Sequence, residues 1–271
     1  MATAVPDGDS TRREVSLERV FSRTFGTICS NPVGTLGIAF MFSALPLLLF
    51  NYFSQGVRSP EALMRIGMWG FVAGVLGGFV LWLALASLTQ GALVRATVAH
   101  SEGRESSIAE SVIAGLRAFV PLMALTIMVI VVEMAGLVFL IVPGIIFYCV
   151  LAVASPALVA EGIGPIEAMW RSRYLTSGAR WKVFSISLVV AIGTWVVTTT
   201  FSALSFQLLG GMRALAQAAF AGRIPLAYFV VQAIGQTLTS CVWSVLASAL
   251  YVELRDWKDG PRSEALAEVF A

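Results

Sequence analysis

Apolar positions run for about twenty residues at a time, six times along the chain, and the charged residues fall between the runs. A hydrocarbon core roughly 30 Å thick is crossed by about 20 helical residues. Inside it, every backbone N–H and C=O must find a partner within the protein, which an α-helix provides segment by segment. The runs predict membrane-spanning helices over residues 33–53, 67–94, 119–141, 143–160, 183–209 and 225–250. The expected fold class is therefore all-α, a polytopic six-transmembrane-helix bundle.

Three shorter stretches carry a different pattern. Leu17, Val20, Phe21 and Phe25 recur at helical spacing, as do Ile108, Val112, Ile113, Leu116 and Phe119, and a third group lies between Ile166 and Tyr174. Each has a glutamate in its first turn (Glu18, Glu110 and Glu167), where a carboxylate complements the positive end of the helix dipole. Ser107-Ile108-Ala109-Glu110 reads as a capping box, Gly164-Pro165 as a helix start, and Gly178 as a stop. All three are too short and polar to span, so three cytoplasmic interfacial amphipathic helices are expected, each preceding a two-span hairpin.

Punctuation within the spans adds detail. Asn31-Pro32 should cap the first span and Pro46 should kink it, while Pro156 should break the fourth. Gly70, Gly74 and Gly78 form two overlapping GxxxG steps that permit close helix approach. Trp69, Trp181, Tyr148 and Tyr251 fall near span boundaries, where amphipathic rings settle into the interface.

Charge then orients the bundle. Of the 18 Lys and Arg residues, 14 lie before span 1, after spans 2 and 4, or after span 6; only Arg58, Arg65, Arg213 and Arg223 lie on the other side. By the positive-inside rule, both ends of the chain belong to the cytoplasm. The expected organisation is a disordered cytoplasmic segment over 1–13, one membrane domain over 14–254, and a cytoplasmic tail over 255–271. Residues 1–12 are polar and carry Asp7 and Asp9, unlike a cleaved signal peptide. A net charge of +2 gives no reason to expect nucleic acid as a partner. The 3 cysteines, Cys29, Cys149 and Cys241, read as thiols rather than a disulfide framework.

Candidate chemistry centres on Glu133, the one carboxylate deep in a predicted span. A charged residue at a helix centre costs about 2.5–3.5 kcal/mol on insertion scales, so Glu133 should face protein or water. It can serve a proton- or cation-linked site, hold a polar headgroup, or simply bond a neighbouring helix. Gln232, Gln236, Ser240, Ser244 and Ser248 recur every four residues in span 6, and Thr194, Thr198, Ser202, Ser205 and Gln207 stud span 5. Such stripes are either interhelical packing or one wall of a polar pocket. In the second case Glu133, Gln232, Gln236 and Ser240 should converge. Arg171, Arg173, Arg180 and Lys182, interleaved with Trp170, Tyr174 and Trp181, could contact anionic lipid headgroups or only enforce topology. His100 stands alone, with no CxxC or HExxH spacing to suggest a metal site. Neither a GxxxxGK[ST] loop nor a GxSxG elbow occurs. No cofactor, metal or catalytic residue is expected, and the chain reads as no enzyme.

Several strings resemble a known family. They are Pro143-Gly144-Ile145-Ile146, then Ser155 to Gly162 and Gly164-Pro165-Ile166-Glu167-Ala168, and the run from Leu175 to Phe184. Gly91-Ala92-Leu93-Val94-Arg95 with Glu102-Gly103-Arg104, and the span 6 exit Tyr251-Val252-Glu253-Leu254-Arg255, complete the set. Together, from about Ser16 to Gly260, they resemble the membrane domain accompanying some bacterial glycerophosphodiester phosphodiesterases and the stand-alone YciC-like inner-membrane proteins. In that family the exit usually reads tyrosine, acid, leucine, arginine, and here Val252 intervenes. The resemblance implies a six-helix bacterial inner-membrane protein. It imports no phosphodiesterase, since that activity resides in a separate soluble domain with metal-binding His and acidic residues, and this chain has 1 His. The expected function is binding or moving a lipid or small amphiphile through a polar intramembrane pocket. The alternatives are an assembly subunit docking a partner protein or further copies of itself, and ion-coupled transport of a polar solute.

Overall fold

A computed structural model describes residues 15–55, 60–101 and 108–260 of the chain. The described residues are helical almost throughout: α1 Leu17–Ser30, α2 Pro32–Ala39, α3 Leu45–Ser54, α4 Pro60–Ser101, α5 Ile108–Arg117, α6 Phe119–Phe139 and α7 Ile141–Leu151. There follow α8 Ala154–Glu161, α9 Pro165–Thr176, α10 Arg180–Leu208, α11 Met212–Phe220 and α12 Leu226–Asp259. Six stretches are long and apolar enough to cross a membrane: Pro32–Ser54, Met64–His100, Phe119–Val138, Val142–Glu161, Arg180–Leu208 and Leu226–Asp259. Large apolar side chains such as Met68, Phe71, Val75, Leu76, Val138 and Trp195 point outward from them. The chain is a polytopic membrane protein.

Local chemistry explains the irregularities. Asn31 caps α2 by accepting the Gly34 N–H at 2.9 Å, with Pro32 at the first position of the helix. Pro46 has no N–H for the carbonyl four residues back, and its ring crowds that turn. The chain relaxes the strain with a π-helical turn over Phe40–Ala44, in which the Leu45 N–H reaches the Phe40 carbonyl. The expected kink is thus a widened turn just before the proline. Pro156 acts similarly: the fourth span breaks at Ala152 and Val153, four and three residues upstream, separating α7 from α8. In α4, Gly67 sits at φ 64°, so a turn occurs where the second span was expected to begin. Gly178, at φ 88°, ends the α9 segment as its position implied. The Ser107 half of the capping box before α5 lies outside the described residues.

Two features differ from expectation. The connection between the last two spans contains α11, an unforeseen short helix with Met212 and Phe220 exposed. The last helix also continues through Asp259, nine residues past the expected end of the sixth span at 250.

α12 is the central post. It packs against α1, α2, α3, α4, α8, α9 and α10. The largest buried cluster gathers around its second half: Leu246, Leu250, Tyr251 and Leu254 meet Val20 of α1, Val94 and Val98 of α4, Val153 and Ala157 at α8, Leu175 of α9 and Val183 and Ile186 of α10. The short helices α1 and α9 therefore gather at the end of the bundle where α12 finishes. α5 joins them there through the last turns of α4.

Glycine contacts set two crossings. A Cβ on Gly91 of α4 would stand 2.8 Å from the Gly115 Cα of α5, and one on Gly115 would stand 3.1 Å from the Leu88 carbonyl. In the α6–α7 hairpin, a Cβ on Gly136 would lie 3.0 Å from the Gly144 Cα. By contrast, Gly78 of the expected GxxxG face meets Phe50 of α3, while Gly74 has open space. Gly91→Val should destabilise the detergent-solubilised protein by about 1–3 kcal/mol, because backbone rather than a flexible side chain blocks the added atoms. Gly74→Ala should leave the thermal midpoint unchanged or slightly raised. Equal midpoints for both variants would refute this account of the crossing.

Candidate functional site

Glu133 lies one turn before the Gly136–Gly144 crossing. In an antiparallel hairpin pivoting there, a residue three positions before Gly136 faces one three or four positions after Gly144. That places Tyr148 of α7 beside Glu133 of α6. α10 adds Phe184, Ser187, Leu188 and Ala191, the i, i+3, i+4, i+7 face of a helix. Trp243 of α12 closes the set. These residues, with Leu137, Gly144 and Ile145, line a cavity of about 400 Å³ in the apolar part of the bundle. Its lining is apolar except for the Glu133 carboxyl, the Tyr148 and Ser187 hydroxyls, which face each other, and the Trp243 indole.

This arrangement suits one kind of occupant. The half-buried Glu133 carboxyl can accept from a hydroxyl or amine, the neighbouring hydroxyls can donate or accept, and the remaining walls favour hydrocarbon. A polar head attached to an apolar tail matches both halves.

The other expected pocket residues lie elsewhere. Gln232 donates to the Tyr228 hydroxyl of its own helix at 3.3 Å, Gln236 is exposed, and Ser240 donates to the Thr237 carbonyl at 3.2 Å. None of the three lines the Glu133 cavity. Gln232 precedes Trp243 by eleven residues on α12, about 16 Å of helix rise, so it stands at a different depth. The hydroxyl stripes are consumed locally. Thr194 donates to Val190, Thr198 to Thr194, Thr237 to Ala233 and Ser248 to Ser244, each bond 2.7–2.8 Å long and within one helix. Serine and threonine in helices satisfy themselves this way, which leaves small surfaces for packing. Tyr148, Ser187 and Trp243 escaped sequence reasoning. The signal available for Ser187 was its place on the same helical face as Phe184, Leu188 and Ala191.

At the end where the short helices gather, the charges form a connected set. Glu253 of α12 is only 4% exposed and pairs with Arg19 of α1 at 2.8 Å and with Arg23 at 3.8 Å. Arg23 also donates to Asp256 at 3.2 Å. Tyr251, fully buried, donates its hydroxyl to Glu161 of α8 at 2.8 Å. It is therefore a core residue with a polar anchor. Glu161 also pairs at 2.8 Å with Arg171 of α9, whose guanidinium reaches Asp259 as well. Burial opposes the Arg171 charge, but the Asp259 and Glu161 carboxylates outweigh it and hold the guanidinium above its usual range.

The expected headgroup contacts thus divide. Arg171, partly exposed, is engaged by Glu161 and Asp259 as a structural tie. Arg173 lies outside, stacked 5.4 Å from the Trp170 ring centroid, and Arg180 is exposed beside Trp181, itself 82% exposed. Lys182 is partly buried and already engaged. α9 buries Ala168, Ser172, Leu175 and Thr176, and leaves Ile166, Trp170 and Tyr174 facing out. Cys149 and Cys241 are buried and Cys29 is exposed. His100 lies 3.4 Å from the Ser30 hydroxyl. Among the described residues, no group of three or more His, Cys, Asp or Glu side chains could hold a metal ion.

Glu253→Ala should release α1 at a cost of about 1–3 kcal/mol, since both arginines lose a dehydrated carboxylate. Limited trypsin digestion should then cut after Arg19 and Arg23 at concentrations that spare the parent protein. Unchanged protection would show that apolar contacts alone hold α1. Compared with family models, curated proteins and solved structures, the chain matches none of them.

Proposed function

We propose that this chain is a non-enzymatic protein of the bacterial inner membrane that binds or moves a lipid or small amphiphile. The observation that carries this reading is the Glu133 cavity, where a carboxyl, two hydroxyls and an indole meet in otherwise apolar walls at the depth of the spans. The occupant's head would offer a hydroxyl or amine to Glu133, and its chain would run between α6, α7 and α10 into the bilayer. Membrane lipids are thus the principal partners. The positive-inside rule puts the end carrying Arg19, Arg171, Arg180 and Lys258 in the cytoplasm. The resemblance to YciC-like proteins agrees with this placement.

A second reading has its own observation. A groove of about 520 Å³ between α3 and α4 is lined by Gly70, Gly74 and Gly78 together with Phe50, Asn51 and Phe71. A helix of a partner protein or of another copy could lie in it, making the chain an assembly subunit. Because a Cβ at Gly74 has no atom within 4 Å and faces the groove, Gly74→Leu should leave the fold intact while blocking such a helix. Retention of the same assembly in mild detergent by Gly74→Leu would contradict the assembly reading.

The primary reading is tested by native mass spectrometry of the parent protein and Glu133→Ala, matched for thermal midpoint. The parent should carry a defined amphiphile at near-integral stoichiometry, and the variant should lose most of it. Identical occupancy in both would count decisively against a role for Glu133 in binding.

A further inference from the structure

A second and larger cavity, of about 780 Å³, lies between α4, α5, α6 and α8 at the end of the bundle where the short helices gather. Its walls combine Arg95 of α4, Arg117 and Glu110 of α5, and an apolar set that includes Ile113, Pro121 and Leu158. The volume lies within the range of about 300–1,000 Å³ that small-molecule sites occupy.

The position of the two arginines follows from the backbone. Gly91 and Gly115 bring α4 and α5 into contact at the crossing described above. Arg95 of α4 and Arg117 of α5 each line the cavity, one from either side of that crossing, and both are exposed to its opening. Their setting differs from that of four other arginines at this end. Arg19, Arg23, Arg171 and Arg255 each pair with a carboxylate of the protein. Among the described residues, no carboxylate forms an ion pair with Arg95 or Arg117.

We propose that this cavity binds the phosphate-bearing head of an anionic amphiphile. Arg95 and Arg117 grip the phosphate, for which the guanidinium fork is well shaped. Glu110 accepts from a hydroxyl or amine elsewhere on the same head, and the first acyl carbons lie against Ile113, Pro121 and Leu158. Basic pockets between membrane helices bind lipid headgroups by this combination. The site shares no lining residue with the Glu133 cavity, so either can be occupied without the other.

The test uses the full chain in nanodiscs of phosphatidylcholine containing a minority of phosphatidylglycerol, released into native mass spectrometry. The parent should retain one phosphatidylglycerol per chain. Arg95→Ala/Arg117→Ala should weaken retention by about tenfold or more, while the control Arg173→Ala/Arg180→Ala retains it. Ala114→Phe, which fills the cavity and keeps both charges, should also lose the lipid, and it carries the test if the double variant does not fold. Adding glycerol phosphate distinguishes the sources of the head: displacement of the lipid marks a site for a free phosphate compound, and persistence marks one for the lipid itself. Equal retention by the parent and both cavity variants would overturn the proposal, as would equal loss in the Arg173/Arg180 control.

Discussion

The buried carboxylate of Glu253 is the interaction around which the basic end of this protein is organised. A carboxylate nearly excluded from water must have cationic partners, and Arg19 and Arg23 of α1 supply them. Two further ties, from Tyr251 to Glu161 and from Asp259 to Arg171, fasten α8 and α9 to the same two turns of α12. The pairing adds polar fastening to the apolar contacts of Val20 and Leu175, which already seat α1 and α9 in the core. The tie to α8 also steadies one wall of the larger cavity.

Close backbone approach does the corresponding work elsewhere. Within lipid, little hydrophobic force drives helices together, so packing of small residues decides which faces meet. The Gly136–Gly144 contact places Tyr148 next to Glu133, and the Gly91–Gly115 contact joins the two helices that carry Arg95 and Arg117. Each cavity is therefore a by-product of a glycine crossing with a polar residue one turn or less away. The glycines most conspicuous in the sequence, Gly70, Gly74 and Gly78, only line an outward groove.

The architecture was legible because its determinants are local. Apolar run length marked the spans, Asn31-Pro32 marked a cap, and Pro46 and Pro156 marked irregular turns. The start of α9 at Gly164-Pro165 could be read for the same reason. Only α11, short and lodged in a connection, went unseen. The candidate site was half legible. Glu133 stood out because a charge inside an apolar run is unusual, yet its companions depend on hairpin register and on which face of α10 turns inward. The four-residue repeat of Gln and Ser in α12 suggested a wall for the pocket. It fell short because side chains on one face of a long helix still differ in depth, and because Ser and Thr bond their own carbonyls. The structural partners of Arg171 were not legible for a related reason: Glu161 and Asp259 are ten and 88 residues away, beyond any spacing rule.

The account stands on the Glu133 cavity holding an amphiphile rather than packing residues alone. A high-resolution density map of the protein in a lipid nanodisc tests this most directly. The account predicts ordered density in the cavity, with a polar head within hydrogen-bonding distance of Glu133, Tyr148 or Ser187 and a tail leading out between α6, α7 and α10. A cavity closed by its own side chains, or filled only by disordered lipid like the rest of the surrounding belt, would contradict it.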